Sequence, residues 1–480
     1  MKGIVVLSMA ASGVVTAWVA TVAAAGVTAG SMPEPLQGSG YGVRAVGYSV
    51  RCLDNDSVCA EYNADSMFIP ASVAKTVTAT AAFDLLGPGH VFRTDVYLGG
   101  EFEPDTGLVR GDMYVRGTGD PGFVAERTWL FVQQLVNRGV RQVRGACILC
   151  DGYFDTATVG PGFGEESSSR AYEAPVGALS VNFSTVEVHT WPGSRPGSPV
   201  GVRVFPAEAG LEVISKARTV GAGEGRKGVS VRTEQRGAST IVVVEGDMAV
   251  GAEPRCAYRK VWETSGNVAR VLSSLFAECG LQVAGGVRPG VLPDSIALRP
   301  AFHVFESLPL STYVGYLFKY SNNAAAEMLF RTIGAERSGS GSWDSAAAVV
   351  RRWWRERGLP GELRQCNGSG MGSCSRLSPR QAVALLAYVD SQKVYLADFC
   401  AGLSVAGVDG TLKDRFTRSR LRGFVRAKTG TLNNKGVSSL AGYAFRGSRT
   451  YAFAIFVSDI AHGQFDHWML QERILESVLP

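Results

Sequence analysis

The hydrophobic positions of this chain change period twice between residue 41 and the C-terminus. Residues 41 to 95 open with alternating runs, "GVRAVGYSV" and "CAEYNADSMF". They then turn to helical spacing in "SVAKTVTATAAFDLL", which starts near Ser72 just behind Pro70 and is stopped by "GPG". From about 96 to 290 short alternating runs punctuated by glycine and proline prevail, such as "GLVRGDMYVRG", "VNFSTVEVHTW", "GVRVFPAE" and "STIVVVEGDM", and these predict β-strands. Helical spacing returns in "LSTYVGYLFKYSNNAAAEMLFRTIG", "SWDSAAAVVRRWWRERG" and "SPRQAVALLAYVDS". The chain ends in a meander, "FVRAKTGTL", "GVSSLAGYAF" and "RTYAFAIFVSDI", closed by the amphipathic segment "FDHWMLQERILESVL". This order predicts one domain interrupted by another. Residues 32–95 and 291–480 form its two parts, with about two β-rich modules in 96–290, and no internal repeat is present.

At 480 residues the chain is too long for one ordinary core, which agrees with that division. A hydrophobic fraction of 46% and a charged fraction of 19% place it among folded globular proteins. The net charge of +5 is spread without a Lys/Arg block, so no nucleic-acid partner is expected. Residues 1–31 carry one lysine followed by a long uncharged apolar run, which reads as an export signal. Cleavage fits after Ala25 or Ala29, and the run is also long enough to remain as a membrane anchor. Either way the body is placed outside the cytoplasm, in the periplasm or cell envelope, touching a membrane only through this segment if it is uncleaved.

Nine cysteines suit that compartment. Cys52 and Cys59 flank "LDNDSV", and Cys366 and Cys374 bracket "NGSGMGS" and are placed to staple it. Cys147 and Cys150 form the only CxxC, either a local disulfide or two buried thiols. Zinc would need a second such pair. The histidines (His90, His189, His303, His462, His467) show no ligand spacing apart from His462/His467, so neither metal nor cofactor is expected. Trp353 and Trp354 read as core packing, a Ser/His/Asp hydrolase would need a G-x-S-x-G elbow that is lacking, and "GFVRAKT" lacks the glycine of a phosphate loop.

Candidate chemistry starts at Ser72 and Lys75. Three residues apart on a helix they share a face, and a lysine whose pKa is lowered by burial can serve as the base that a serine hydroxyl needs. An S-x-x-K string alone is explained as well by a helix cap and a snorkelling lysine. Two further strings follow, Ser321-Asn322-Asn323 at a helix start and Lys428-Thr429-Gly430 on a strand. S-x-x-K, S-D-N and K-T-G, in that order, are the active-site set of β-lactamases and penicillin-binding proteins.

With these motifs the chain resembles the low-molecular-mass class C penicillin-binding proteins, the D-alanyl-D-alanine carboxypeptidase/endopeptidases, in which a long insertion separates the first two motifs. "GTGDPGF" (Gly117 to Phe123), "APVGALSVN" (Ala174 to Asn182), "NGSGMG" (Asn367 to Gly372), "VAGVDGTLKDRF" (Val405 to Phe416) and "LAGYAF" (Leu440 to Phe445) add to the likeness, which covers nearly all of the chain beyond residue 40. The resemblance implies an α/β (α+β) fold, with an antiparallel sheet flanked by helices and β-rich inserted domains. It implies hydrolysis of peptidoglycan stem peptides through an acyl-enzyme on Ser72, and β-lactam antibiotics as covalent inhibitors. Lys75 would act as base, Ser321 as proton relay, Asn323 as hydrogen-bonding partner, and Lys428 as the charge that keeps Lys75 neutral. Thr429 would bind the substrate carboxylate, Gly430 would leave room at the strand edge, and the N–H groups of Ser72 and Thr431 would form the oxyanion hole.

The chain departs from the group in two places. Its middle motif has Asn322 for aspartate, at a position that points away from the reaction. "NGSGMGS" stands where the group has Asp-Gly-Ser-Gly-Leu-Ser-Arg, so Asn367 replaces an acid and Ser373 an arginine that contacts the third stem residue. Asp151, in "CDGYF", matches the acidic residue of the inserted domain that faces the same side chain. A β-lactamase-like hydrolase on the same fold would need a deacylating glutamate loop that is not recognisable here. A silent cell-wall scaffold would be expected to have lost at least one motif residue.

Overall fold

The computed structural model describes residues 33–164, 168–224, 228–237 and 239–479, so the segment read as a signal or anchor lies outside the described residues. The fold is mixed α/β. Its main sheet is antiparallel and six-stranded, in the order Ser404–Val405, Val425–Leu432, Val437–Arg446, Arg449–Ser458, Val46–Cys52 and Ser57–Tyr62. Val46–Cys52 pairs with Arg449–Ser458, so both ends of the chain close one sheet and everything between is connected through it. Both faces are covered. Along Arg449–Ser458, Ala452, Ala454 and Phe456 pack on a helical layer, while Phe453, Ile455 and Val457 pack on the opposite side with Leu470, Ile474 and Leu475 of the helix Gln464–Val478. Burial on both faces explains why "YAFAIFV" is a continuous apolar run rather than an alternating one.

The central helix of that layer is Ala74–Leu86, whose residues from Ala74 to Phe83 are all buried. A helix buried on every side lies inside a core, and its neighbours Leu310–Tyr320, Asn323–Ser338, Trp343–Glu356 and Pro379–Ser391 share that core with it. Trp353 and Trp354 are each 1% exposed, as core residues should be. Asp84 ties the layer together, accepting from Trp353 Nε1 at 2.8 Å, Arg357 Nε at 2.9 Å and the Tyr395 hydroxyl at 2.6 Å.

The chain leaves this domain through Arg93–Leu98 and returns through His303–Glu306, which pair antiparallel in a five-stranded sheet with Met113–Gly117, Cys147–Cys150 and Val287–Gly290. Further out lie a three-stranded sheet (Gly201–Phe205, Thr185–Trp191, Arg255–Lys260) and a four-stranded one around Ser239–Ala249. The middle region also holds two helices that its glycine and proline punctuation obscures, Ala125–Asn137 and Thr264–Glu278. Their apolar stripes, Phe131, Val132 and Leu135 on one and Val268, Val271, Leu272 and Leu275 on the other, fill the same apolar cluster as the strands. Cys147 and Cys150 are free and buried: three apart on a strand, they face opposite sides and cannot bridge. Cys52 and Cys59 are also free, whereas Cys366 and Cys374 are joined.

Arg331 fastens the inserted region to the helical layer. Its side chain is fully buried between the rings of Phe154 and Trp343, and donates to Gly341 O (2.7 Å), Ala157 O (2.8 Å), Val176 O (3.3 Å) and Asp155 Oδ1 (2.6 Å). Arg331→Met would fill most of the volume but leave these acceptors unpaired, at a cost of about 3 kcal/mol in urea unfolding. Asp155→Ala, which takes the carboxylate from a fully buried guanidinium but leaves its backbone acceptors, should cost about 2 kcal/mol.

Candidate active site

The sequence places Pro70 where a helix begins, and the backbone there is strained: Ala71 takes a left-handed φ of 45° before the 3-10 turn Ala71–Val73 continues into Ala74–Leu86. This turn sets Ser72 over Lys75, with Oγ and Nζ 2.7 Å apart. Lys75 Nζ also lies 2.7 Å from Asn323 Oδ1 and donates to Ser369 O at 3.2 Å. The lysine is fully buried. Burial pushes its pKa down to about 7, against the opposing pull of the Glu327 carboxylate.

Ser321 ends the helix Leu310–Tyr320 in a left-handed conformation, φ 56°, and Asn322 caps the next helix by accepting from Ala325 N at 3.0 Å. Helix capping is therefore the work of Asn322 alone, so Ser321 and Asn323 are left to face the cleft. Lys428 Nζ, fully buried, donates to Ser321 Oγ at 2.8 Å and to Thr429 O at 2.7 Å. Burial drives its pKa well below the usual lysine range, and the charge of Lys75 pushes the same way. Two such lysines on one cleft disfavour the doubly charged state. Asn323 Nδ2 donates to Tyr172 O at 3.0 Å, so the inserted region forms part of the wall.

Lys428, Thr429, Gly430 and Thr431 lie on Val425–Leu432. The neighbour on its outer side, Ser404–Val405, pairs only with Ala427 and Arg426, so among the described residues no strand covers the edge from Lys428 onward. The Thr429 hydroxyl bonds to that of Thr411 at 2.7 Å. Gly430 has a tighter reason to be glycine than room for a ligand. A Cβ there would lie 2.1 Å from Ser439 Oγ and 2.8 Å from both Pro70 O and Ser72 N, so the missing side chain lets the strand press against the turn that carries Ser72. Thr431 is exposed on the same strand.

Asp151 directly follows the strand Cys147–Cys150. Its Oδ1 accepts from Leu179 N at 2.7 Å, and its Oδ2 lies so near Gly177 that a Cβ there would be 2.6 Å away. Burial raises its pKa to about 6. The carboxylate thus holds the "APVGALSVN" segment against the strand end.

Sequence reading missed Glu327. Fully buried, it accepts from Gly368 N, Ser369 N and Trp343 Nε1, each at 2.8 Å, and so fixes the loop whose Ser369 carbonyl meets Lys75. Its position four residues after Asn323, on the same helical face, was the available signal. Asn367, read as standing in place of the group's acid, is also fully buried, donating to Pro161 O at 2.7 Å and Met371 O at 2.9 Å and accepting from Gly370 N at 2.8 Å. An amide can donate and accept in this position, which a carboxylate cannot.

A buried lysine paired with a serine at a strained helix start, with a second Ser/Lys pair across the cleft, defines an acyl-serine hydrolase built on an α/β sheet. The profile of the D-Ala-D-Ala carboxypeptidase 3 (S13) family matches residues 36–474, and the chain belongs to that family. It is 32% identical over 399 residues to a D-alanyl-D-alanine carboxypeptidase of Actinomadura sp. (strain R39), covering 81% of this chain and 72% of that one. It is 24% identical over 432 residues to the D-alanyl-D-alanine carboxypeptidase DacB of Haemophilus influenzae, covering 88% and 87%. The crystal structure of penicillin binding protein 4 (dacB) from Haemophilus influenzae superposes with a TM-score of 0.78 at 23% identity, over 90% of this chain and 96% of that chain. The same relative in complex with a β-lactam gives 0.72 at 22% identity, over the same shares. The protein is thus a serine-type D-Ala-D-Ala carboxypeptidase by family.

Glu327→Gln should lower stability by about 2–3 kcal/mol in denaturant unfolding, since an amide cannot accept from all of those donors. Because the carboxylate holds the Lys75 pKa up, its removal should also move the acid limb of the pH–rate profile to lower pH. Gly430→Ala should abolish acylation by a β-lactam while far-UV circular dichroism is retained.

Proposed function

We propose that this enzyme removes the terminal D-alanine from peptidoglycan stem peptides, with Ser72 as nucleophile and Lys75 as base. The observation that carries this reading is the fully buried Lys75, 2.7 Å from Ser72 Oγ, with its pKa brought to about 7. Ser72 Oγ attacks the carbonyl carbon of the penultimate D-alanine and its proton passes to Lys75 Nζ. The backbone N–H groups of Ser72 and Thr431 hold the oxyanion, a contribution of roughly 3 kcal/mol per donor. Collapse breaks the C–N bond, and the proton that Lys75 took from Ser72 passes through Ser321 to the leaving amine, which returns Lys75 to its neutral form. Water then attacks the ester, giving up a proton to Lys75, and Ser72 recovers its own.

The terminal carboxylate is received by Lys428 and the Thr429 hydroxyl. Its negative charge favours a proton on Lys428, and two like charges in one cleft then favour the neutral form of Lys75. The peptide backbone pairs along the open edge of Val425–Leu432 as an added strand. A second reading, cleavage of cross-links between stem peptides, is favoured by a cleft of about 1090 Å³ that leads from Ser321 and Asn323 past Tyr172, Phe205 and Tyr258. β-Lactams acylate the same serine under this reading. Export to the periplasm or cell envelope is supported by the N-terminal sequence and by the Cys366–Cys374 disulfide, and suits a cell-wall substrate.

Incubation with a pentapeptide ending in D-Ala-D-Ala should release D-alanine, and a cross-linked dimer should be cut if the second reading holds. Ser72→Ala should lower kcat by at least about 10³-fold. Neutral Lys75 is the active form, so kcat/KM should rise with pH through about 7 and level off above it. A rate independent of pH between 5 and 9 (roughly two units either side of that value) would exclude Lys75 as the base.

A further inference from the structure

The inserted region brings together three groups that are far apart in sequence. Glu187 and His189 are two residues apart on Thr185–Trp191 and therefore share a face, and Cys256 on Arg255–Lys260 stands directly across from His189 in the antiparallel register. His189 Nε2 lies 3.0 Å from Glu187 Oε2, and Cys256 Sγ lies 3.9 Å from that nitrogen and 4.0 Å from that oxygen. One atom from each side chain thus converges on a single point. Tetrahedral zinc, with bonds of about 2.0–2.1 Å to nitrogen and oxygen and 2.3 Å to sulfur, needs ligand separations of roughly 3.3 Å between nitrogen and oxygen and 3.6 Å from each to sulfur. The observed triangle differs from that by only a few tenths of an ångström, within the reach of side-chain rotation.

We propose that Glu187, His189 and Cys256 form a three-ligand site for a borderline divalent transition metal, zinc foremost. Thr185–Trp191 is the middle strand of its sheet, flanked by Gly201–Phe205 and Arg255–Lys260, so two ligands stand on a backbone held from both sides. Thiolate and imidazole select against magnesium and calcium, which prefer oxygen. Together the thiolate and carboxylate offset a divalent charge, with Arg203 placed across from His189 in the register as the neighbouring cation. On binding, the Cys256 S–H bond breaks, its proton passes to solvent, and an S–metal bond forms. The Glu187–His189 hydrogen bond gives way to two bonds to the ion, the Nε2 proton being lost to solvent as the ring takes up one at Nδ1. Glu187 and Cys256 also line the cleft that reaches Ser321 and Asn323, so the fourth position opens to water there, as in sites that exchange a ligand.

The test uses the full-length protein, with its exposed thiols shown to be reduced. Titration with Co²⁺ should produce a near-ultraviolet thiolate-to-cobalt charge-transfer band that Zn²⁺ abolishes. The band should be lost in Cys256→Ser and in His189→Ala, and Glu187→Gln should bind Co²⁺ more weakly. Penicillin acylation of Ser72 checks that each variant is folded. Independently of any variant, Zn²⁺ should slow alkylation of Cys256 by iodoacetamide, mapped by peptide mass, and leave the exposed Cys59 unaffected. No charge-transfer band with Cys256 reduced, or equal alkylation of Cys256 with and without Zn²⁺, would overturn the proposal.

Discussion

A lysine that must be buried without a carboxylate in contact is the constraint on which this structure depends. Burying an ammonium group is expensive, and the usual remedy is an ion pair. Here the contacts of Lys75 are a hydroxyl, an amide oxygen and a backbone carbonyl, which stabilise the amine without fixing its charge. Burial then carries the pKa to about 7, which is the property the proposed base role of Lys75 requires. The carboxylate that does act on it, Glu327, is turned to the backbone of the Gly368–Ser369 loop and to Trp343, so it tempers the shift while serving as a structural anchor.

The groups around Lys75 come from widely separated parts of the chain. Ser72 belongs to the turn that opens the central helix, Asn323 to a helix beyond the insertion, Ser369 to a disulfide-stapled loop, and Gly430 to the strand that presses on the Ser72 turn. What holds them in register is the sheet closed by Val46–Cys52 and Arg449–Ser458, together with an alanine-rich central helix that lets its neighbours approach closely. The inserted region is part of this arrangement, since Tyr172 O accepts from Asn323 and Arg331 reaches into the 155–176 segment. A site assembled this way is sensitive to changes in any of its supports.

Much of this was legible in the sequence because its signals are local. Ser72 and Lys75 share a helical face, Pro70 marks the helix start, and Lys428 lies on a strand with a glycine that no buried strand carries without reason. What escaped was non-local. Glu327 looks like any polar residue on a helix until the loop it binds is known, and Asn367 reads only as an amide in place of an acid until its three partners show that it organises the loop. Asp151 matched a motif, but the hydrogen bond by which its carboxylate also holds Leu179 N shows only in the fold. The helices Ala125–Asn137 and Thr264–Glu278 have clear apolar stripes but sit among strand and turn signals that dominate their surroundings. Glu187, His189 and Cys256 are adjacent only through strand pairing, which residue spacing does not reveal.

The central claim is that Lys75 activates Ser72 to form an acyl-enzyme. Intact mass spectrometry after incubation with benzylpenicillin, with peptide mapping, tests it most directly. The account predicts a single adduct of the drug's mass on Ser72 that is absent in Ser72→Ala and strongly slowed in Lys75→Ala. An adduct on another residue, or acylation of Ser72 at an unchanged rate in Lys75→Ala, would contradict it.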